Sequence, residues 1–312
     1  MSDDDSRYQE FLRCHPATPV HLLGVRMGVK LTDYLGGFIV FLCLSVLSLI
    51  ITIGLGAIII GVAGPAARAS VIGLMGLVLT ASLLITLHGS LRLQGRNLMS
   101  VIAPGQRLQG AMFLRSALIY TICLMALSAP RAWMGTLHLS LPSPSLLFWL
   151  PAMLVAFAGQ TAAEEAFCRG YLAQAFQILC RNAALAAIPI AVIFATLHVN
   201  YPLEKRVTLL GFSLFASYLT WRFGRLEAAM GFHFAHNMLI SVFANKGPGF
   251  PSLGGQAAKA ASPIMDKAAL LGLAATLAIT MLLYWLLGIK TGFIEHGWRR
   301  RSKISTELTP KT

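Results

Sequence analysis

Long runs of apolar residues, separated by short polar stretches, dominate the chain. The run at residues 36–63 exceeds the roughly 18–20 residues that a helix needs to cross the hydrocarbon core of a bilayer. Only 12% of the residues are charged, against about 25% in a soluble domain. We therefore predict an all-α polytopic membrane protein with about eight transmembrane helices. The predicted spans are residues 36–63, 70–90, 109–128, 145–178, 183–198, 207–221, 226–244 and 268–289.

The spans and loops divide the sequence into four parts. Residues 1–35 are predicted to form a cytoplasmic lead, and residues 36–144 hold the first three spans with their loops. We expect a catalytic bundle of helices at residues 145–245. Residues 246–312 then supply a polar loop, the last span and a basic cytoplasmic tail. The fourth span is longer than one crossing requires, so its helix is predicted to tilt, break or project beyond the bilayer.

The formal net charge of +13 could suggest a nucleic-acid partner. The Lys and Arg residues are instead scattered between the apolar runs or gathered in the tail, which is typical of cytoplasmic loops that face anionic lipid. With eight spans and a cytoplasmic N-terminus, the inner segments hold more than twice as many Lys and Arg residues as the outer ones. We predict a multi-pass protein of a bacterial-type inner (plasma) membrane, with both termini cytoplasmic, in contact with the lipid bilayer and not with nucleic acid.

Two adjacent carboxylates, Glu164 and Glu165, follow the apolar run at residues 146–163. Each charge costs roughly 2.5–3.5 kcal/mol at a bilayer centre, so a pair placed there indicates a functional site. Glu165 and Arg169 are four residues apart and are predicted to form an ion pair on one helix face. Glu164 projects about 100° away. We expect it to be left out of that pair, free to face a cavity as a general base.

Three histidines, His198, His233 and His236, lie in the later spans. If helices four, five and seven bundle together, His198, His233 and Asn237 can meet Glu164. His233 and Asn237 are four residues apart and share a helix face, whereas His236 is predicted to be structural. Two chemistries stay open for such a cluster. Glu164 and His198 could activate a water while His233 and Asn237 bind an oxyanion. Alternatively, Glu164, His198 and His233 could bind zinc, with a water at the fourth position.

Three motifs carry a family resemblance: Glu164-Glu165-x-x-x-Arg169, Phe194-x-x-x-His198 and His233-x-x-x-Asn237. In order, internal spacing and placement they resemble the CPBP (ABI or type II CAAX-prenyl endopeptidase) intramembrane proteases, over roughly residues 145–245. The resemblance implies hydrolysis of a membrane-bound peptide or protein. It also implies that Glu164 and His198 activate the water and that His233 and Asn237 stabilise the oxyanion. Family members are described as glutamate-type or metal-dependent, so the resemblance leaves the cofactor open, with zinc as one possibility.

We expect direct attack by water without an acyl-enzyme, because no Ser or Cys lies at a suitable spacing from a His base. Cys168 follows Glu164 by four residues and is predicted to be a small apolar filler. Two other classes of protein use similar residues. A transporter could use the Glu and His side chains as a proton relay, and an immunity or scaffold protein could retain the motifs without catalysis.

Overall fold

The structure is a computed structural model that describes residues 3–15, 18–63, 68–133, 144–198, 201, 203–244 and 267–290. It is helical throughout most of these residues. The long helices are α3 (Leu31–Ala63), α4 (Arg68–Arg92), α6 (Gly110–Trp133), α7 (Pro144–Glu165), α8 (Ala173–Cys180), α9 (Ala183–Leu197), α10 (Leu203–Phe223), α11 (Glu227–Ala244) and α12 (Lys267–Lys290). The other elements are α1 (Asp3–Cys14), a 3-10 turn (Val20–Leu22), α2 (Leu23–Met27) and α5 (Met99–Ile102).

A helix occupies each of the eight predicted spans, with ends that differ from the predictions by a few residues. Among the described residues, two segments are long and apolar enough to cross a membrane, Leu31–Val62 and Gly110–Ala129. Shorter apolar helices lie at Val78–Arg92, Ala183–Leu197 and Ala275–Gly288. The all-helical class is therefore confirmed for the described chain, and the count of eight spans stays a prediction.

Helix α3 exposes much of its apolar surface. Ile50, Ile58 and Val62 are exposed by 62%, 63% and 85% of their surface. A soluble monomer rarely presents a continuous apolar surface of this length. Exposed apolar side chains are not destabilising in hydrocarbon. The exposure of α3 therefore agrees with a helix that contacts lipid.

The fourth predicted span departs from α-helical geometry directly after the Glu pair. Helix α7 ends at Glu165, a π-helical segment runs from Ala166 to Leu172, and α8 continues from Ala173. The change from α-helical to π-helical winding divides the fourth predicted span into two α-helices, α7 and α8. Single π-helical turns often occur at functional sites because they redirect side chains within an otherwise regular helix.

Helices α7, α9, α10 and α11 of the later half of the chain pack together, and α6 from the first half packs against α11. Helix α11 packs along α6, α7 and α10, while α9 packs along α10. Gly231 allows the closest of these approaches, since a Cβ there would overlap the carbonyl oxygen of Phe113 on α6. Asn182 caps α9 by accepting hydrogen bonds from the backbone N–H groups of Ala184 and Leu185. These contacts bring the three motifs together.

The N-terminal lead packs against the bundle. Tyr8 and His21 are buried, and the N–H of Val20 donates to the carbonyl of Gly224 between α10 and α11. Two predicted features fall outside the described residues. They are the polar loop at residues 246–267, apart from Lys267, and the basic tail after Lys290.

Candidate active site

The predicted ion pair between Glu165 and Arg169 is present. Arg169 Nη1 donates to Glu165 Oε1 at 2.9 Å, and both side chains are fully buried. Arg169 Nη2 donates to Ser213 Oγ of α10 at 2.8 Å, and the guanidinium carbon lies 4.5 Å from the centre of the Phe194 ring. The cation is thus held by a carboxylate, a hydroxyl and an aromatic face, which together offset the cost of burying it.

His233 joins this pair from helix α11. Its Nδ1 lies 2.8 Å from Glu165 Oε1. A carboxylate can only accept, so Nδ1 carries the proton and donates it to this bond. The other ring nitrogen, Nε2, then faces Glu164, with 3.7 Å between Nε2 and Glu164 Oε2. Glu165 therefore fixes the ring orientation of His233 and leaves Nε2 available to Glu164 or a substrate.

Glu164 lies on the accessible side of the site, with 24% of its side chain exposed. The prediction that Glu164 stays outside the Glu165–Arg169 pair agrees with this position. Glu164 also has a neutral partner, since Gln160 Nε2 donates to Glu164 Oε1 at 2.9 Å. Gln160 is one helical turn earlier on α7, so the two side chains share a face.

His198 is the first residue after α9 and is half-buried. Its Nδ1 lies 2.7 Å from the carbonyl oxygen of Phe194, which can only accept, so Nδ1 is the protonated nitrogen. Nε2 consequently keeps its lone pair, as a general base requires. Tyr201 stacks on the His198 ring, with 5.5 Å between the ring centres. Burial and the charge of Glu164 raise the pKa of the Tyr201 phenol, which places Tyr201 near that carboxylate.

Phe194 is the aromatic residue that the site elements share. Its ring lies 4.7 Å from the His198 ring, 5.7 Å from the His233 ring and 6.3 Å from the Phe212 ring, centre to centre. Arg169 covers one of its faces. The structure shows that this packing sets where two histidines and an arginine lie relative to one another.

Asn237 and His236 occupy different surroundings on α11. Asn237 is one turn after His233 and partly buried, and it makes no hydrogen bond to the other predicted site residues in the described part of the chain. His236 Nδ1 lies 2.7 Å from the Tyr120 hydroxyl of α6, and its ring packs on Phe212. His236 thus has a supporting place in the packing, as expected, and does not join Glu164.

The residues proposed as a zinc set are not grouped as a metal site in this structure. Within the described ranges, no three His, Cys, Asp or Glu side chains are grouped closely enough to hold a metal ion. The metal-dependent alternative therefore gains no support from the grouping of these side chains, and we derive no step through a metal. Cys168, as expected, is buried as an apolar filler.

Several residues of the site were not found by sequence reasoning. They are Gln160, Tyr201, Phe212 and Ser213. Gln160 had a usable signal, since it precedes Glu164 by four residues on one helix. Ser213 and Phe212 lie far from the Glu pair in sequence, on a helix without a motif, so nothing local pointed to them.

Comparison with known proteins supports the interpretation of the motifs. Residues 144–239 match the family model of type II CAAX prenyl endopeptidases, Rce1-like. The match includes all six predicted site residues and confirms the family resemblance over that segment. Over 106 residues the chain is 33% identical to the uncharacterized protein YyaK of Bacillus subtilis (strain 168), which covers 32% of this chain and 36% of that protein. The chain thus spans about a third of the length of this curated relative. No solved structure matches.

Proposed function

We propose that this chain is an intramembrane endopeptidase that hydrolyses a peptide bond of a membrane-bound peptide or protein. The observation that carries the proposal is the position of Glu164, an accessible carboxylate beside the buried Glu165–Arg169–His233 group. The Rce1-like match over the same residues favours a protease of the CAAX type. The multi-pass topology with cytoplasmic termini belongs to the same proposal and rests on the apolar runs and the distribution of Lys and Arg.

The proposed mechanism uses a water activated by two bases. Glu164 and the Nε2 atom of His198 orient the water, and Glu164 takes its proton as the oxygen attacks the peptide carbonyl. The carbonyl oxygen becomes an oxyanion, to which the Asn237 amide and His233 Nε2 donate hydrogen bonds, the His233 ring having taken a proton at Nε2 from solvent before the substrate binds. Glu164 then passes its proton to the leaving amine. Each proton transfer of this kind typically contributes about 10²- to 10⁴-fold to the rate.

Gln160 and Tyr201 have supporting places in this scheme. Gln160 holds one oxygen of Glu164, which leaves Oε2 for the water. Tyr201 and Phe194 both pack on the His198 ring and fix its position. Arg169 forms an ion pair with Glu165, and Glu165 in turn keeps His233 oriented. This arrangement separates a buried orienting carboxylate from an accessible reactive one, which gives the two adjacent Glu residues different tasks.

The experiment is a comparison of protein N-termini in membranes from cells that express wild type, Glu164→Ala or His198→Ala. We expect wild type to produce new N-termini in membrane proteins and both variants to lose them, with cleavage reduced by at least about 10²-fold. Because every new N-terminus is detected, the substrate need not be chosen in advance. Purified wild type is then assayed on synthetic peptides that end in a CAAX sequence, with and without a prenyl group.

Cys168→Ala is the matched control, because it changes a buried side chain four residues from Glu164 without removing a proposed catalytic group. It should cleave like wild type. All variants are checked for membrane insertion and an unchanged melting temperature in detergent. Wild-type-like cleavage by Glu164→Ala or His198→Ala would disprove the assignment. Solute flux in proteoliposomes without any cleavage would favour the transporter alternative.

A further inference from the structure

A small cavity lies on the far side of Arg169, between α8, α9 and α10. Its volume is about 20 Å³, and its polar lining includes His21, Arg169, Gln177, Ser217 and Thr220. One water molecule needs at least about 10–15 Å³ of such space. The cavity is therefore large enough for a single water.

Arg169, Gln177 and Ser217, which line this cavity, each carry a buried polar atom without a hydrogen-bond partner. The atoms are Arg169 Nε, Gln177 Oε1 and Ser217 Oγ. Buried polar atoms in folded proteins are almost always satisfied by protein or by ordered water. Three exceptions from three elements around one cavity indicate a common partner.

The chemistry of the three atoms selects that partner. Arg169 Nε carries a hydrogen and can only donate, Gln177 Oε1 can only accept, and the Ser217 hydroxyl can do either. An anion would satisfy Arg169 and repel Gln177, and a metal cation would do the reverse. The charge of Arg169 is already balanced by Glu165. A neutral molecule that both donates and accepts fits all three positions.

We propose that the cavity between α8, α9 and α10 is an internal hydration site that holds one ordered water. The water accepts a hydrogen bond from Arg169 Nε, donates one to Gln177 Oε1 and exchanges one with Ser217 Oγ. It completes the hydrogen bonding of the guanidinium, whose other two nitrogens bind Glu165 and Ser213. This water is distinct from the one that Glu164 activates, because Gln177 and Ser217 are not part of the Glu164 site.

The first test is a high-resolution density map of the full chain in detergent. We expect one density peak within about 2.7–3.2 Å of Arg169 Nε and Gln177 Oε1. A map that resolves other buried waters and leaves this cavity without density would overturn the proposal. An ion, identified by anomalous scattering or by a heavier peak, would overturn it as well.

The second test compares two buried serines by their effect on melting temperature. Ser100 Oγ is also buried without a partner, and Ser100 is absent from the lining of this cavity. Ser217→Ala removes a bond to the water and should lower the melting temperature by about 2–4 °C. Ser100→Ala removes only an unsatisfied hydroxyl and should leave the melting temperature unchanged or raise it. Equal effects of the two substitutions would contradict the hydration site.

Neither readout requires cleavage, so failure of the proposed protease activity would leave this proposal standing. Cleavage by the Ser217→Ala variant tests both the proposed protease activity and the hydration site. Because the water supports only the Nε edge of Arg169, we expect Ser217→Ala to retain cleavage under conditions where Glu164→Ala has none. Loss of cleavage to the Glu164→Ala level, with the protein still folded, would overturn the purely structural role assigned to this water.

Discussion

Two arginines, Arg169 and Arg96, are fully buried and differ in the kind of partner that their guanidinium groups bind. Arg169 has a carboxylate partner, Glu165, and lies within the π-helical segment. Arg96 donates to the Tyr34 hydroxyl at 3.0 Å, to Gln94 Oε1 at 3.2 Å and also to Gln174 Oε1. All of these Arg96 partners are neutral groups.

The partners explain what each arginine is for. Glu165, the carboxylate partner of Arg169, accepts a hydrogen bond from His233 and orients its ring. The ion pair is therefore connected to the candidate active site. Arg96 binds neutral groups that join the start of α3 to α8, since Tyr34 donates to Gln174 and Tyr171 donates to the carbonyl of Tyr34. We infer that the paired arginine serves the chemistry and that the arginine with neutral partners fastens the N-terminal helices to the core.

The largest expected effect comes from replacing each arginine with leucine. Arg169→Leu strands the buried carboxylate of Glu165, and removing one partner of a buried ion pair costs about 3–5 kcal/mol. Arg96→Leu strands only neutral acceptors, at about 1–3 kcal/mol for an unsatisfied group. Reversible unfolding of both variants in detergent measures the difference in the free energy of unfolding.

The double variant Glu165→Leu, Arg169→Leu serves as the control for this comparison. It removes both charges, so it should be more stable than Arg169→Leu alone. If Arg96→Leu is as destabilising as Arg169→Leu, the distinction between the two arginines fails. If the double variant is no better than the single one, the cost lies in lost packing on Phe194 and not in the stranded charge.

Glu165→Gln should reduce cleavage strongly while Glu164 is still present. The amide can bind Arg169 or His233 but carries no charge, so it orients the imidazole less firmly and stabilises positive charge on it less. We expect the rate to fall roughly 10- to 100-fold, which equals about 1.4–2.7 kcal/mol of activation free energy. The measurement is cleavage per folded molecule, at saturating and at limiting substrate.

Glu227→Gln is the matched control for that substitution. Glu227 is a second buried Glu paired with an arginine, Arg225, and it also accepts from the N–H of Gln109, away from the Glu164 site. We expect Glu227→Gln to lower stability and to leave cleavage per folded molecule unchanged. Equal losses of cleavage in Glu165→Gln and Glu227→Gln would mean that a buried ion pair changes the cleavage rate only by stabilising the fold.

The same comparison shows which features could be predicted from the sequence. The Glu165–Arg169 pair follows from a spacing of four residues within one helix. The helix positions follow from apolar runs, because lipid and core both select apolar side chains over whole helical lengths. Each of these is a local property of consecutive residues. The approach of His233 to Glu164 was expected from the motif resemblance, since no local pattern specifies how separate helices pack.

The remaining features depend on contacts between distant segments. The bond between His233 and Glu165 and the neutral partners of Arg96 join residues that periodicity does not relate. The fourth span was predicted to tilt, break or project, and its change to π-helical winding was not predicted. Its sequence remains compatible with an α-helix. Gly170 allows the segment to lie close to α5, since a Cβ there would overlap the carbonyl of Val101.

The smallest effect is expected for Tyr34→Phe. The substitution keeps the ring that lies 5.5 Å from the Arg96 guanidinium and removes the hydroxyl that accepts from Arg96 and donates to Gln174. The loss should cost about 0.5–1.5 kcal/mol of unfolding free energy. Cleavage per folded molecule should not change, because the Arg96 group presents no charge or proton to Glu164. A fall in cleavage as large as that of Glu165→Gln would show that Arg96 and its partners take part in the reaction. That result would contradict the distinction between the two arginines.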